Sequence, residues 1–375
     1  MISPDLMYVS LNRRHLRHNI RVLKSLCRAD TALCAVVKAD AYGHDITQIL
    51  PELVAQEIST FAVSRTDEAL WIRTHFPEAR ILVLCEPLNL ALDAVVQHRL
   101  EPCLNSQADL DTFLRVKDVF FEQGLQVHLK LDTGMGRLGL MPKEILESIK
   151  HGLLPKHPDK SYRFGLMTHF AQSELPSSDL TLEQVNTFLK FTATFQRYYP
   201  SVEIHGNNSS AVLNGLLKTQ SQLVRVGIGL YGGIADPRLQ PVMGWMCKMA
   251  YVRRLPAGSG VGYGQTFRTQ RATRLGLLPV GYRAGYFLGH SNSGLVDVGG
   301  YPAPVIGRVS MDMTAIDITD VPYTDRDIFK QQITLISSAI DATHPLHVVK
   351  VAERLSTHSY EVLCAVHPSI QRIWE

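Results

Sequence analysis

Between Leu33 and about Gly233 the chain alternates short apolar runs with longer stretches of helical period, and it does so eight times. The runs are "LCAVVK" at Leu33, "FAVS" at Phe61, "ILVLC" at Ile81, "EPCL" at Glu101, "QVHLKLD" at Gln126, "FGLMTHF" at Phe164, "VEIHG" at Val202 and "LVRVGIGLYG" at Leu223. Between them lie patterns such as "QADLDTFLRVKDVFFEQG" and "TLEQVNTFLKFTATFQRYY", whose apolar residues recur every third or fourth position. Strands buried on both faces read as near-continuous apolar runs, and eight such units in succession predict a (β/α)8 barrel. After Gly233 the texture changes to Gly, Pro, Val and Thr-rich segments such as "PAGSGVGYGQTFRT" and "YPAPVIGRVSMDMTAIDIT", with no long helical period. That region reads as all-β, giving a C-terminal mostly-β domain. Turn residues cluster in "GGIADPRLQP", so the expected domains are 1–236, the barrel, and 237–375. A chain of 375 residues has room for both.

Composition excludes several classes of function. At 45% hydrophobic and 19% charged the chain is of globular type, and no apolar run approaches the roughly 18 residues that span a bilayer. Polar residues interrupt the N-terminal "MISPDLMYVSLNRRHLRHN" where a signal peptide would need an apolar core, so a cytoplasmic protein is expected. The six cysteines are scattered without a CxxC pair, and the 15 histidines form no HExxH, so neither a disulfide framework nor a metal site is expected. A net charge of +3 is too small to point to a nucleic acid. The one basic run, "RRHLRHNIR", has Leu16, Ile20 and Leu23 at helical spacing and reads as the solvated face of a helix.

The C-terminal ends of barrel strands are where active sites lie, and Lys38 stands at the end of the first. Taken alone it could simply emerge into solvent. The loops after strands seven and eight, the usual phosphate cradle of a barrel, carry "GNNSS" and "VGIGLYG". A phosphate-bearing ligand beside a strand-end lysine points to pyridoxal phosphate held as a Schiff base. A Schiff-base aldolase would show the same two features.

Seven ordered motifs separate these readings. "AVVKADAYGHD", "HLKLDTGMGRLG", "MTHFA", "HGNNSS", "VRVGIGLYG", "GVGYGQTF" and "GRVSMDM" together resemble the alanine racemase family of fold-type III pyridoxal-phosphate enzymes. The resemblance runs from the first barrel strand almost to the C-terminus. It implies that Lys38 is the Schiff-base residue and one of two catalytic bases, and that Tyr263 in "VGYG" is the opposing base. Racemisation removes a proton from one face of a carbon and returns it on the other, which two opposed bases can do. Lysine and tyrosine titrate well above neutrality in water, so such a site has to shift both by charge or burial.

By the same resemblance Arg225 faces the pyridine nitrogen. A guanidinium only donates hydrogen bonds, so that nitrogen would stay unprotonated. Phosphate contacts fall to Tyr42, Ser209, the amides near Gly227 and Ile228, and Tyr360, and Asn208 is a further cofactor-binding residue. Arg137 and the backbone of Met311 match positions that hold the substrate carboxylate, and His169 one that bridges Arg225 and the tyrosine base. Tyr282 and Asp312 match the passage to the site, and Lys130 matches a position often carbamylated. Read from the residues alone, Lys130 and Asp132 share a strand face and would form a buried ion pair. The family takes its tyrosine base from a second subunit, which implies a homodimer with shared active sites. Its D-alanine is expected as a peptidoglycan precursor, with catabolism the alternative use.

The match has gaps. "GYRAGY" places Arg283 and Ala284 where the family has a small residue and an acid, Leu288 replaces an arginine, and Glu174 an aspartate. The C-terminal "HPSIQRIWE" lacks the common "RVPR". These departures leave the reacting groups intact and bear on substrate range, so a broader racemase acting on serine or a basic amino acid is the alternative. A cofactor-handling protein of the same barrel type typically lacks the appended β-domain. Decarboxylases of this fold type typically carry a reactive cysteine motif that Cys247 and Cys364 do not form.

Overall fold

The computed structural model describes residues 6–154, 163–339 and 341–375. It divides into two compact units: Arg21–Ala39 with Leu53–Leu230, and Met1–Ile20 with Asp40–Glu52 and Tyr231–Glu375. The first strand, β1 (Met7–Leu11), belongs to the second unit.

The first unit is the barrel. Its strands are β2 (Ala32–Val36), β3 (Thr60–Val63), β4 (Arg80–Val83), β5 (Glu101–Leu104), β6 (Val127–Lys130), β7 (Phe164–Met167), β8 (Glu203–His205) and β9 (Leu223–Val226). They are parallel and ordered β8-β7-β6-β5-β4-β3-β2-β9. Two backbone bonds close the ring from β9 to β8, Gln222 N–H to Ile204 O at 2.9 Å and Arg225 N–H to Asn207 O at 3.0 Å. Each of the eight runs read from sequence supplies one strand. The helix Gln107–Glu122 begins where the Ser106 hydroxyl accepts from Asp109 N–H, and it buries Leu110, Phe113, Phe120 and Phe121. Helix Asp179–Phe195 is capped in the same way by Ser178 and buries Phe188, Phe191 and Phe195. Phe164 of β7 meets Tyr199 edge to face, with ring centroids 4.9 Å apart.

The second unit is mostly strand. With β10 (Met243–Cys247), β11 (Tyr251–Leu255), β12 (Gly260–Val261), β13 (Phe267–Arg268), β14 (Thr273–Leu278), β15 (Leu295–Val298), β16 (Tyr301–Pro304), β17 (Thr314–Asp317), β18 (Ile333–Ile336) and β19 (Arg372–Trp374), it forms three sheets. The largest is ordered β16-β15-β18-β10-β1-β19, so both chain ends meet in one sheet. The region after Gly233 is not purely β, since helices Val348–Arg354 and Ser359–Ala365 lie within it. Seven residues make only two turns, too short to show a period in the sequence.

Leu16, Ile20 and Leu23 are buried on helix Arg13–Ser25 as their spacing predicts. The basic face is only partly free: Arg13 and Arg17 both reach the carboxylate of Glu52, and Arg13 also lies 4.9 Å over the ring of Trp374. Among the described residues no helix is long and apolar enough to cross a membrane.

Candidate active site

In the barrel unit the residues singled out from sequence lie at the C-terminal ends of strands. Lys38 follows β2 and is half-buried, Lys130 ends β6, His169 follows β7, Asn208 and Ser209 follow β8, and Arg225, Gly227 and Ile228 lie on or just after β9. Burial first, then the charges of Arg225, Arg137, Lys130 and Lys38, push the His169 pKa down to about 3, so its ring is neutral at physiological pH.

Arg225 is 4% exposed, and burial works against its charge. Its guanidinium is fixed by donation to the carbonyls of His205 and Thr168, the latter at 2.8 Å, and to His205 Nδ1 at 3.0 Å. Lys130 is also buried, and desolvation leads in lowering its pKa. The expected Lys130–Asp132 pair does not form. Asp132 instead accepts from the backbone N–H groups of Gly134, Met135 and Gly136, at 2.9 to 3.2 Å. A carboxylate at the start of a tight turn is better satisfied by the amides that follow it, and here they order the loop that presents exposed Arg137.

Ser209 organises the other side of the barrel mouth. Its Oγ accepts from Gly227 N–H at 3.0 Å and Gly229 N–H at 3.1 Å. A Cβ at position 229 would sit 3.0 Å from Ser209 Cβ, so glycine lets the two loops approach. Asn208 caps the short helix Ser209–Leu213 by accepting from Ala211 N–H at 2.9 Å, and accepts from Ser173 Oγ at 2.8 Å.

The second unit carries the tyrosines. Residues 39–43 run as a left-handed turn, with φ of 53° at Ala39, 54° at Asp40, 53° at Ala41, 55° at Tyr42 and 77° at Gly43. Four L-residues in that conformation are costly and need external support. Arg372 supplies part of it, its Nε and Nη2 donating to Gly43 O at 3.1 and 2.9 Å. His44 Nδ1 lies 3.0 Å from the carbonyls of both Ala41 and Tyr42, and its ring stacks on Tyr231. Tyr42 is thereby placed 5.2 Å from Tyr231 and 5.9 Å from half-exposed Tyr360, centroid to centroid.

Tyr263 lies in a short turn between Gly262 and Gly264, both at positive φ, and is 73% exposed. Tyr282 and Met311 are about half exposed on two loops joined by Tyr282 N–H to Ser310 O and Arg283 N–H to Met311 O, each 3.1 Å. Arg283 faces Asp312 across 3.7 Å, with both side chains largely in solvent. Leu288 and Glu174 are also exposed.

Sequence reading passed over Arg372, Tyr231 and His205. Arg372 lies in the C-terminal segment set aside as a departure, and nothing in its neighbourhood marks a partner at Gly43. The contiguous "GLYG" around Tyr231 belongs to a motif that points to Arg225 and the phosphate loop, and nothing in it marks the stacking of Tyr231 on His44.

A family model described as the alanine racemase N-terminal domain matches residues 11–235, and one described as the C-terminal domain matches residues 242–374. An alanine racemase of Chlorobaculum tepidum is 31% identical over 383 residues, covering 99% of this chain and 96% of the relative. One of Pseudomonas taetrolens is 38% identical over 317 residues, covering 82% and 84%. Among solved structures, alanine racemase from Acinetobacter baumannii aligns with a TM-score of 0.85 at 29% identity over 99% of this chain and all of that one (100%). The structure from Bartonella henselae, with covalently bound pyridoxal phosphate, aligns at 0.86 and 26% identity over 99% of each.

Proposed function

The chain belongs to the alanine racemase family, and on that premise we propose that it interconverts L- and D-alanine by a two-base mechanism, with Lys38 on one face of the α-carbon and Tyr263 of a second copy on the other. The observation that carries this reading is the placement of Lys38, Lys130, His169, Ser209 and Arg225 together at the C-terminal ends of the barrel strands. An amino acid brings a carboxylate to such a site, and a phosphorylated cofactor brings more negative charge, which suit the guanidinium of Arg137 and the hydroxyl and amides of the Ser209 loop.

Pyridoxal phosphate is the cofactor, and the residues present fit it. Ser209 uses its lone pairs on the Gly227 and Gly229 amides, so its hydroxyl proton remains to be donated to a phosphate oxygen. The Ile228 amide, Tyr42 and Tyr360 would complete the proposed phosphate contacts, with Asn208 a further cofactor-binding residue. Arg225, which can only donate, would meet the ring nitrogen without giving up a proton, and we infer that this restrains side reactions. When bound, the cofactor draws electrons from the α-carbon and makes its proton removable.

The remaining work falls to the protein. Arg137 and the Met311 backbone hold the carboxylate and fix which face each base sees. Neutral His169 connects Arg225 to the tyrosine. Lys130, whose lowered pKa raises the fraction of free amine, is suited to carbamylation, which would turn a cation into an anion able to orient Arg137. The high exposure of Tyr263 supports its contribution to a neighbouring copy, and so a homodimer with shared sites. The enzyme is proposed to work in the cytoplasm, supplying D-alanine for peptidoglycan.

The Arg283–Asp312 pair beside Tyr282 favours one second reading, a racemase of broader range that admits serine or a basic amino acid. Proton NMR in D2O with L-alanine, L-serine, L-lysine and L-arginine in separate tubes decides between the two. Loss of the α-proton with appearance of D-product for alanine alone is expected. Comparable exchange across several amino acids would establish the broader enzyme, and no exchange in any tube would overturn the racemase reading.

A further inference from the structure

Beneath Arg225 a chain of polar side chains continues through the barrel interior, and none of its deeper members has a place in the mechanism above. Arg225 Nη1 is 3.0 Å from His205 Nδ1, His205 Nε2 is 2.8 Å from His128 Nδ1, and His128 Nε2 is 2.8 Å from Glu101 Oε2. Glu101 is anchored by Arg80, whose Nε lies 2.8 and 2.9 Å from its two oxygens, and Arg80 binds Glu203 through both terminal nitrogens at 2.7 and 2.6 Å. His128 and His205 are wholly buried. The geometry of His128, Glu203 and His205 would also suit a metal ion, but their ligand atoms are already engaged with each other, with Glu101 and with Arg80.

The ends of this chain fix its direction. Arg225 can only donate, so His205 Nδ1 must accept and its proton must sit on Nε2. That proton points at His128 Nδ1, which must accept in turn, leaving the His128 proton on Nε2 facing the Glu101 carboxylate. A carboxylate only accepts, so the sequence ends without conflict. A protonated His128 would break it, because its Nδ1–H would need a lone pair on His205 Nε2 while Arg225 needs the one on Nδ1, and a neutral imidazole has a single lone pair. Two arginines then balance two glutamates around two neutral rings. The hydrogen bonds that Glu101 receives from His128 and Arg80 outweigh its burial and hold its carboxyl below the usual range. Burial holds His205 well below the usual imidazole range.

We propose that Glu101, His128 and His205 are positioning residues that form a one-way hydrogen-bond chain, fixing the orientation and charge of the Arg225 guanidinium toward the cofactor ring. The proposal deepens the racemase reading and rests on the placement of Arg225 against the ring nitrogen. Gly165 belongs to the same device. A Cβ at that position would fall 1.9 Å from His128 Nδ1, so glycine leaves room for the ring at the atom that accepts from His205.

The test begins with cofactor-free wild-type protein labelled with 15N-histidine, in which two-bond proton–nitrogen correlations report each ring's tautomer. His128 and His205 are expected as neutral Nε2–H rings near neutral pH. A Nδ1–H tautomer at either, or a doubly protonated His128, would overturn the chain. In the holoenzyme, Gly165→Ala, which removes no polar atom, and Glu101→Gln are each expected to lower kcat by about tenfold with KM for alanine nearly unchanged, because Arg225 does not hold the substrate. A kcat at the wild-type level in a Gly165→Ala protein whose NMR shows the His128 tautomer lost would overturn the positioning role. Inactivity of the wild-type enzyme is a separate failure, one of the site reading, since the tautomers are read without cofactor or turnover.

Discussion

Ser209 shows how much one oxygen can hold at this site. With both lone pairs on the amides of Gly227 and Gly229, it shapes the loop and presents its proton at the same time. Ser209→Ala strips two buried N–H groups of their acceptor, a loss of about 1–3 kcal/mol for each that finds no replacement. Titration of the cofactor-free variant with pyridoxal phosphate, followed by absorbance, is expected to show affinity weakened by at least about tenfold. Unchanged affinity would remove Ser209 from the phosphate site. This residue was legible because "GNNSS" is contiguous in sequence. Glu101, His128 and His205 were not, since each is an ordinary strand residue until the barrel closes, sets β5 beside β6, and lets His128 reach His205 of β8 past Gly165 of the intervening β7.

Among the elements, the left-handed turn after Lys38 is the most demanding. Its support comes from Arg372 on β19, from His44, and from Asp40, whose Oδ1 accepts from Ile46 N–H at 2.8 Å. In a right-handed helix, replacing alanine by glycine destabilises by roughly 0.5–1 kcal/mol. At Ala39, exposed and at φ 53°, the sign should reverse. Relief of about 1–2 kcal/mol of left-handed strain exceeds the roughly 0.4–1 kcal/mol of extra freedom gained by the unfolded chain. Ala39→Gly is therefore expected to raise the urea midpoint of the cofactor-free protein, and a lowered midpoint would mean that the turn is not strained there. The sequence signalled Lys38 but not the turn, because "KADAYG" has no glycine before Gly43 to mark a left-handed conformation, and the distant Arg372 is part of what holds it. Strand β1 escaped notice for a related reason: its partners, β10 (Met243–Cys247) and β19 (Arg372–Trp374), lie far away in the sequence.

For the whole molecule, buried neutral histidines set the response to acid. His44 is pushed down to about 3 and His290 to about 4, in both cases by burial first, and His205 lies well below its ordinary value. Each takes up a proton near pH 6.5 once unfolded, so the unfolded chain binds more protons than the native one below that pH. Stability is complete above about pH 6.5 and falls as pH drops toward the folded values, by up to about 1.4 kcal/mol per pH unit for each group. The urea midpoint is expected to fall markedly between pH 7.5 and pH 5, above the range where most carboxylates titrate. A flat profile across that window would contradict the neutral burial of these rings. The barrel's eight runs and the later β-rich texture made the architecture readable at this scale, because buried strands betray themselves by apolar composition alone. The polar interior, the joining of both chain ends in one sheet and the two short helices depend on pairings across the sequence that no local pattern records.

The two-base claim is met most directly by following each enantiomer of alanine in D2O with the wild-type enzyme and with Tyr263→Phe. Wild type should exchange the α-proton and invert both enantiomers. Tyr263→Phe should exchange the α-proton of one enantiomer only, through Lys38, while inversion falls by orders of magnitude. Inversion of both enantiomers at the wild-type rate by Tyr263→Phe would contradict the account, since the second base would then lie elsewhere.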